Sequence, residues 1–250
     1  MTMQLLKMGS CFLWSGVIVS LVGAAPPTND DCDDALIYSR LKLIIEFNSS
    51  AQDVGIQVLL DGEPWKWLKG FKPDGAKIFD ISTRSSLRTQ GLTELFFESS
   101  EPSLSVTPLS VFFARFPEGP YEFEGETVEG ECIEGETEFT HVIPSGPVIT
   151  SPEQGDETPV VDPDELEIEW EPVTTTIDGS TNLDIVGYQV IVEQVEPRRI
   201  FSIDLPAKTT SVEIPPGFIT QANTLHKFEI LAIEVGGNQT TTEGEFITEP

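Results

Sequence analysis

Apolar and polar residues alternate in three segments of the carboxyl-terminal half of the chain. The segments are residues 166–173, 187–193 and 226–234. In the first, every second residue from Leu166 to Trp170 is apolar, and the residues between them are glutamates. A period of two places the apolar side chains on one face of a β-strand and the carboxylates on the other. The pattern predicts strands around a shared core, with Trp170, Tyr188 and Phe228 as its large core residues.

Four further segments of this half have the composition of short strands. They are residues 147–151, 200–205, 211–214 and 245–248. Seven short strands within about a hundred residues are what a sandwich of two sheets requires. We therefore predict an all-β fold here, and the order and spacing of the segments resemble the strands of a fibronectin type III domain. The resemblance covers residues 147–248 and leaves the ligand open, because this fold displays many unrelated binding sites.

One residue departs from the pattern of that family. His226 stands where the family usually has a corner tyrosine, two residues before the Phe-x-Ile-x-Ala sequence that begins at Phe228. The tyrosine hydrogen-bonds back across the corner between two strands, and a histidine can donate one similar bond. We interpret His226 as a structural substitute, and the alternative is a metal ligand or a pH switch.

Residues 36–146 form a second β-rich unit, which we predict to be a sandwich-like domain of no assigned family. Strands are predicted at residues 41–47, 55–60, 77–81 and 92–98. Asp61-Gly62 predicts a turn that ends the second of these strands. Thr107 and Pro108 then have the composition of a helix start, so we expect one short helix, capped by Thr107 and ended by Pro117. Together the two halves predict an all-β chain of two domains in tandem.

The sequence Glu-Gly-Glu recurs three times between residues 122 and 138. Its spacing of five matches neither a strand nor a helix, so these carboxylates cannot all share one face of a regular strand. We predict a hairpin in which residues 121–128 pair with residues 133–143. Clustered carboxylates also suit calcium, although the spacing of a calcium-binding loop is missing, and calcium is the only cofactor that we consider.

Basic and aromatic residues alternate between Trp65 and Lys72 in an otherwise acidic chain. Trp65 and Trp67 flank Lys66, and Lys69 follows two residues later. One interpretation is that the aromatic residues belong to the core and the lysines to its solvated edge. The other is a contact surface for sugar rings or for an acidic partner, with these four residues as candidate ligand contacts.

The amino terminus has the features of a secretory signal peptide. Lys7 precedes an apolar stretch that is too short for a membrane span, and small residues follow it. We predict a signal peptide over residues 1–24, an acidic leader over residues 25–35, and a secreted protein, or a periplasmic one if the source is a Gram-negative bacterium. Asn48 and Asn238 begin glycosylation sequons, which matter only in a eukaryotic source.

Composition limits the partners and the chemistry. The chain has 14 Lys and Arg against 42 Asp and Glu, a net charge of −28, which disfavours nucleic acid and anionic membranes. Removing the signal leaves Cys32 and Cys132, which we predict to form a disulfide, as is usual in exported chains.

Catalytic motifs are missing from the sequence. It contains no nucleophile elbow, zinc-protease helix motif or phosphate-binding glycine loop. We therefore expect a non-catalytic extracellular binding or structural module, whose partner is a protein or a carbohydrate. The alternatives are an exported carboxylate-based hydrolase that acts on carbohydrate, because that chemistry needs only two carboxylates, and a calcium-stabilised surface protein.

Overall fold

The computed structural model describes residue 32 and residues 34–250. The predicted signal peptide and most of the acidic leader lie outside the described residues. In the first half of the chain the elements are β1 Leu36–Ile37, β2 Arg40–Asn48, β3 Asp53–Phe71, β4 Lys77–Ser82, α1 Ser85–Gln90, β5 Leu92–Glu98, α2 Leu109–Arg115, β6 Gly119–Thr127 and β7 Cys132–Phe139. In the second half they are β8 Val148–Ser151, β9 Val160–Val161, β10 Glu167–Glu171, β11 Ile185–Gln194, β12 Arg199–Pro206, β13 Ser211–Glu213, β14 Leu225–Glu234 and β15 Gln239–Thr248.

The longest strand, β3, runs for 19 residues through the predicted Asp61-Gly62 turn, so that prediction is wrong. The beginning of β3 pairs with β2 and β5, and its end pairs with β4 and β6. The register shifts between Asp61 and Trp65, where the strand passes from one set of partners to the other. A Cβ on Gly62 would lie 2.9 Å from Ile133 Cδ1, so this glycine serves close packing and not a turn.

The helix predictions hold in part. Helix α2 lies where the pattern predicts it, but Pro108 is its N-cap residue and no side chain caps it, so the Thr107 cap is wrong. The sequence does not predict helix α1, because its residues show no apolar period. None of them is buried in the structure. The β6–β7 hairpin is confirmed, and its second strand ends at Phe139.

The second half has the strand arrangement of a fibronectin type III domain, which confirms the resemblance. One sheet has the order β13-β10-β8, and the strands β12-β11-β14-β15 lie side by side in the other. The inward side chains of both sheets form one core cluster. Trp170, Tyr188 and Phe228 are buried in this cluster, with exposures of 3%, 1% and 1%.

The two halves share one continuous sheet. Strand β2 of the first half pairs in parallel with β15 of the second, with Glu46 opposite Gln239 and Asn48 opposite Thr241. A separate core cluster fills the first half and includes Trp65, Leu68 and Phe123. The second half therefore continues the sheet of the first and does not hang from a flexible linker.

Asn238 ties the two halves together at this seam. Its side chain is 2% exposed, and its Oδ1 accepts a hydrogen bond from the Ile45 N–H at 2.8 Å. Its Nδ2 donates to the carbonyls of Thr140 and Val142 at 3.1 and 2.9 Å. The amide that glycosylation would modify is thus buried and occupied, so the folded chain does not offer the sequon at Asn238. The Asn48 amide, by contrast, bonds the exposed Glu243 carboxylate.

The predicted disulfide between Cys32 and Cys132 is present. It ties the described end of the leader to the start of β7, and it closes a loop of about a hundred residues.

Reduction, or the double substitution of both cysteines by serine, is expected to cost about 2–4 kcal/mol of unfolding free energy. Chemical denaturation with and without reductant measures this cost. Two free thiols per chain in the unreduced protein would contradict the pairing.

Candidate functional site: a cleft beside the seam

A cleft of about 350 Å³ lies between helix α2 and the loop that joins β10 to β11. It is lined by Leu109, Phe113, Glu118, His141, Val142, Thr176, Ile177, Asp178, Ser180 and Asn182. Both halves of the chain contribute to this wall. A concave pocket with an apolar lining and a few polar groups is the usual form of a ligand site.

The floor of the cleft is apolar because α2 is amphipathic. Phe112 faces the core, while Leu109 and Phe113, four residues apart, lie on the side that faces the cleft. Val142 and Ile177 complete the floor from the other side, and the backbone N–H of Ile177 bonds the carbonyl of Ile143 at 3.0 Å. That bond fixes the β10–β11 loop against the first half.

His141 is held rigidly in the wall. Its ring stacks on Phe113 with centroids 3.9 Å apart, and its Nε2 lies 2.7 Å from the Phe116 carbonyl. A carbonyl only accepts hydrogen bonds, so Nε2 carries a proton and donates it to the Phe116 carbonyl. The His141 backbone N–H donates to Glu118 Oε1 at 2.7 Å, which positions that carboxylate at the rim.

The β10–β11 loop supplies the opposite rim. Asp178 accepts hydrogen bonds from the Thr176 hydroxyl and from the Ser180 N–H, and these bonds lower the pKa of its carboxyl. Asp178 therefore stays ionised at neutral pH. Thr176 and Ser180 also bond each other through their backbones at 2.9 Å, so the loop is preorganised.

Sequence reasoning missed this site. The lining residues come from two stretches, residues 109–142 and residues 176–182, which meet only after the two halves have joined. No sequence motif links His141 to Asp178. The single local signal is the amphipathic period of α2.

The structure places the four candidate ligand contacts between Trp65 and Lys69 on strand β3. Trp65 is fully buried in the core of the first half, so it cannot touch a ligand. Trp67 is half-buried, its Nε1–H donates to Glu126 at 3.1 Å, and Lys69 Nζ covers its ring at 4.3 Å from the centroid.

The two lysines of this surface are paired within the chain. Lys66 Nζ lies 2.7 Å from Glu126 and Lys69 Nζ lies 3.2 Å from Glu124, both carboxylates belonging to β6. The hydrogen bond from Lys66, together with that from Trp67, lowers the pKa of Glu126. These ion pairs join two lysines of β3 to two glutamates of β6.

His226 occupies a structural position in the second half. Its ring is fully buried and stacks on Phe246, with centroids 4.9 Å apart. Its Nδ1 lies 3.0 Å from the Thr224 carbonyl, and burial lowers the pKa of the ring, which favours the neutral form.

Among the described residues, no group of three or more His, Cys, Asp or Glu side chains is placed to hold a metal ion.

Carboxylates crowd the outer face of the shared sheet. Glu46 accepts hydrogen bonds from Gln57 and Gln239 on its two neighbouring strands, and Glu101 packs over Gly55. Loss of water and, to a smaller extent, the charges of Glu46, Asp53 and Glu98 together raise the pKa of Glu101 to about 7. Burial likewise raises the pKa of Glu46.

Because folding raises the pKa of the Glu101 carboxyl, the folded state is favoured while this group is protonated. This contribution to the unfolding free energy is lost as the pH rises from about 4.5 to 7. We expect Glu101→Gln to match the parent at pH 5 and to melt a few degrees higher at pH 8. The gain is no more than about 1 kcal/mol, because Glu101 is exposed and solvent screens it. Melting curves of both proteins at both pH values test this. Protonation of His226 at low pH lowers the stability of parent and variant equally, so it does not change the difference between them. An equal difference at both pH values would contradict the assignment.

Comparisons with known proteins give only a distant likeness. No protein-family model matches the chain. No curated protein matches it either. The chicken CNTN1 FN1-FN3 domains align with a TM-score of 0.32 and 11% identity over 86% of this chain, which spans 65% of that structure. A two-domain fibronectin type III segment of chicken tenascin aligns with a TM-score of 0.28 and 10% identity, over 84% of this chain and 98% of that one. The fold assignment therefore rests on the strand order of this chain.

No helix in the described part of the chain is long and apolar enough to cross a membrane.

Proposed function

We propose that this protein is an exported, non-catalytic binding module that recognises an extracellular protein in the cleft beside the seam. The observation that carries the proposal is the cleft itself, whose apolar floor and fixed polar rim are formed by both halves of the chain. Preorganised pockets bind at a lower entropic cost than surfaces that must order on contact.

Export is supported by two independent features of the chain. The sequence begins with the charged and apolar regions of a signal peptide. Cys32 and Cys132 are bonded to each other, and disulfides persist mainly in oxidising compartments outside the cytosol. The module would work outside the cell, or in the periplasm of a Gram-negative source.

A bulky side chain at the mouth of the cleft tests the proposal. Asn182 lines the cleft and is exposed, so Asn182→Trp should fold normally and block entry. Thr181→Trp is the matched control, because Thr181 is its exposed neighbour outside the lining. Short peptides and oligosaccharides are titrated into the labelled protein, and the NMR shifts of α2 and of the β10–β11 loop are followed. We expect ligand-induced shifts in the parent and the control and a loss of at least about tenfold in affinity in Asn182→Trp, which is about 1.4 kcal/mol. Ligands that bind all three proteins equally would place recognition elsewhere.

A further inference from the structure

We infer that the cleft binds a basic segment of the partner protein, with an apolar residue on the floor and a neighbouring lysine or arginine at the rim. This inference rests on the proposed function and specifies the chemistry of its ligand. It follows from the kinds of polar atoms that the cleft presents, from the charge around it, and from the shape of the floor.

The two carboxylates that line the cleft are hydrogen-bond acceptors. Glu118 and Asp178 contribute carboxylates from opposite rims. Each carboxylate uses one oxygen to bond the protein's own N–H or O–H groups, and it can accept further bonds. Lysine and arginine carry only donors and satisfy such acceptors fully.

The charge around the cleft favours the same ligand. None of the ten described residues that line it is a lysine or an arginine. The whole chain carries 42 acidic against 14 basic residues, so its field attracts a cation from a distance and repels an acidic segment. An acidic or phosphorylated partner would therefore meet uncompensated carboxylates at both rims.

The floor accounts for an apolar residue beside the cation. Leu109, Phe113, Val142 and Ile177 present hydrocarbon over a volume of about 350 Å³. This volume lies near the lower end of the range for ligand pockets, and it suits one or two side chains better than a folded surface. The aliphatic stem of a lysine or arginine also lies well along an apolar wall while its head reaches the carboxylates.

A pair of peptides that differ only in charge tests the inference. The probes are acetyl-GSGLRGSG-amide and its twin in which citrulline replaces the arginine, measured by calorimetry at low and at physiological salt. We expect the arginine peptide to bind at least about tenfold more tightly than its neutral twin, with an advantage that shrinks as salt rises. Equal affinity of the two peptides, each lost in Asn182→Trp, would overturn the basic ligand and leave the proposed function standing.

Two variants separate contact at the rim from the general field. Asp178→Asn and Asp184→Asn remove the same charge from the same exposed loop, but only Asp178 lines the cleft. We expect Asp178→Asn to lose most of the preference for arginine and Asp184→Asn to retain it, both with parental melting curves to within a few degrees. Equal behaviour of the two variants overturns the rim contact. Wild-type protein that binds neither peptide at millimolar concentration, or that binds oligosaccharides in the cleft instead, overturns the inference as a whole.

Discussion

Asn238→Asp is expected to lower the unfolding free energy by about 3–5 kcal/mol, the range for an uncompensated charge in a buried site. The substitution exchanges one atom, because the side-chain nitrogen becomes an oxygen. In the parent that nitrogen donates to the Thr140 and Val142 carbonyls. In the variant, a carboxylate oxygen would face two carbonyl oxygens at a position that is 2% exposed. Protonation of the new carboxyl would relieve the repulsion, so the loss should shrink at low pH.

Asn223→Asp is the matched control for this variant. It makes the same chemical exchange and adds the same charge at an exposed position. We expect the control to change stability by less than about 0.5 kcal/mol. Denaturant unfolding of both variants gives the two values. Similar small losses in both would show that Asn238 does not hold the seam.

Trp170→Ala is expected to cost about 3–5 kcal/mol, the range for emptying a large aromatic site in a core. Trp170 is 3% exposed and contacts the Tyr188 ring, with centroids 5.3 Å apart. Its Nε1–H has no hydrogen-bond partner among the described residues, so the loss comes from packing and not from polar bonds. The cavity would open between the two sheets of the second half, where neighbouring strands cannot easily collapse.

Phe96→Ala provides the comparison for a large aromatic residue at the surface. Phe96 is 54% exposed, so its truncation should cost less than about 1 kcal/mol. Thermal unfolding of both variants and of the parent measures the two losses of stability. A Trp170→Ala protein that melted with the parent would remove Trp170 from the core.

Both large effects should appear in a single unfolding transition. The seam joins β2 to β15, and β15 is also an integral strand of the second sandwich. Loss of the second core therefore removes the strand against which the first half is paired. Two separate transitions in the parent would show that the halves unfold independently.

The local alternation of apolar and polar residues was sufficient to predict most of the strands. Alternating residues from Leu166 to Trp170 and in β14 placed the second core correctly, because the period of two is a property of the strand itself. The β6–β7 hairpin and helix α2 followed from their local sequences for the same reason. The pairing of Cys32 with Cys132 followed from counting, since the predicted removal of residues 1–24 would leave only these two cysteines.

Predictions from the sequence were wrong where a residue packs against, or hydrogen-bonds to, a residue that is distant in the sequence. Asp61-Gly62 has the composition of a turn, yet Gly62 remains in a strand because Ile133 packs against it. Trp65 and Trp67 are close in sequence, but the core of the first half buries one and Lys69 covers the other. Asn238 looked like a glycosylation site, and only the folded chain shows its amide bonded to carbonyls about a hundred residues away.

The sequence by itself determined the all-β class, the fibronectin type III arrangement of the second half and the disulfide, because each depends on short-range periodicity or on a count. Only the tertiary structure decided that the halves share a sheet, that Asn238 closes the seam and that a cleft forms between α2 and the β10–β11 loop. These features depend on which surfaces meet after folding. Side chains far apart in sequence then supply hydrogen bonds and apolar contacts that no local pattern encodes.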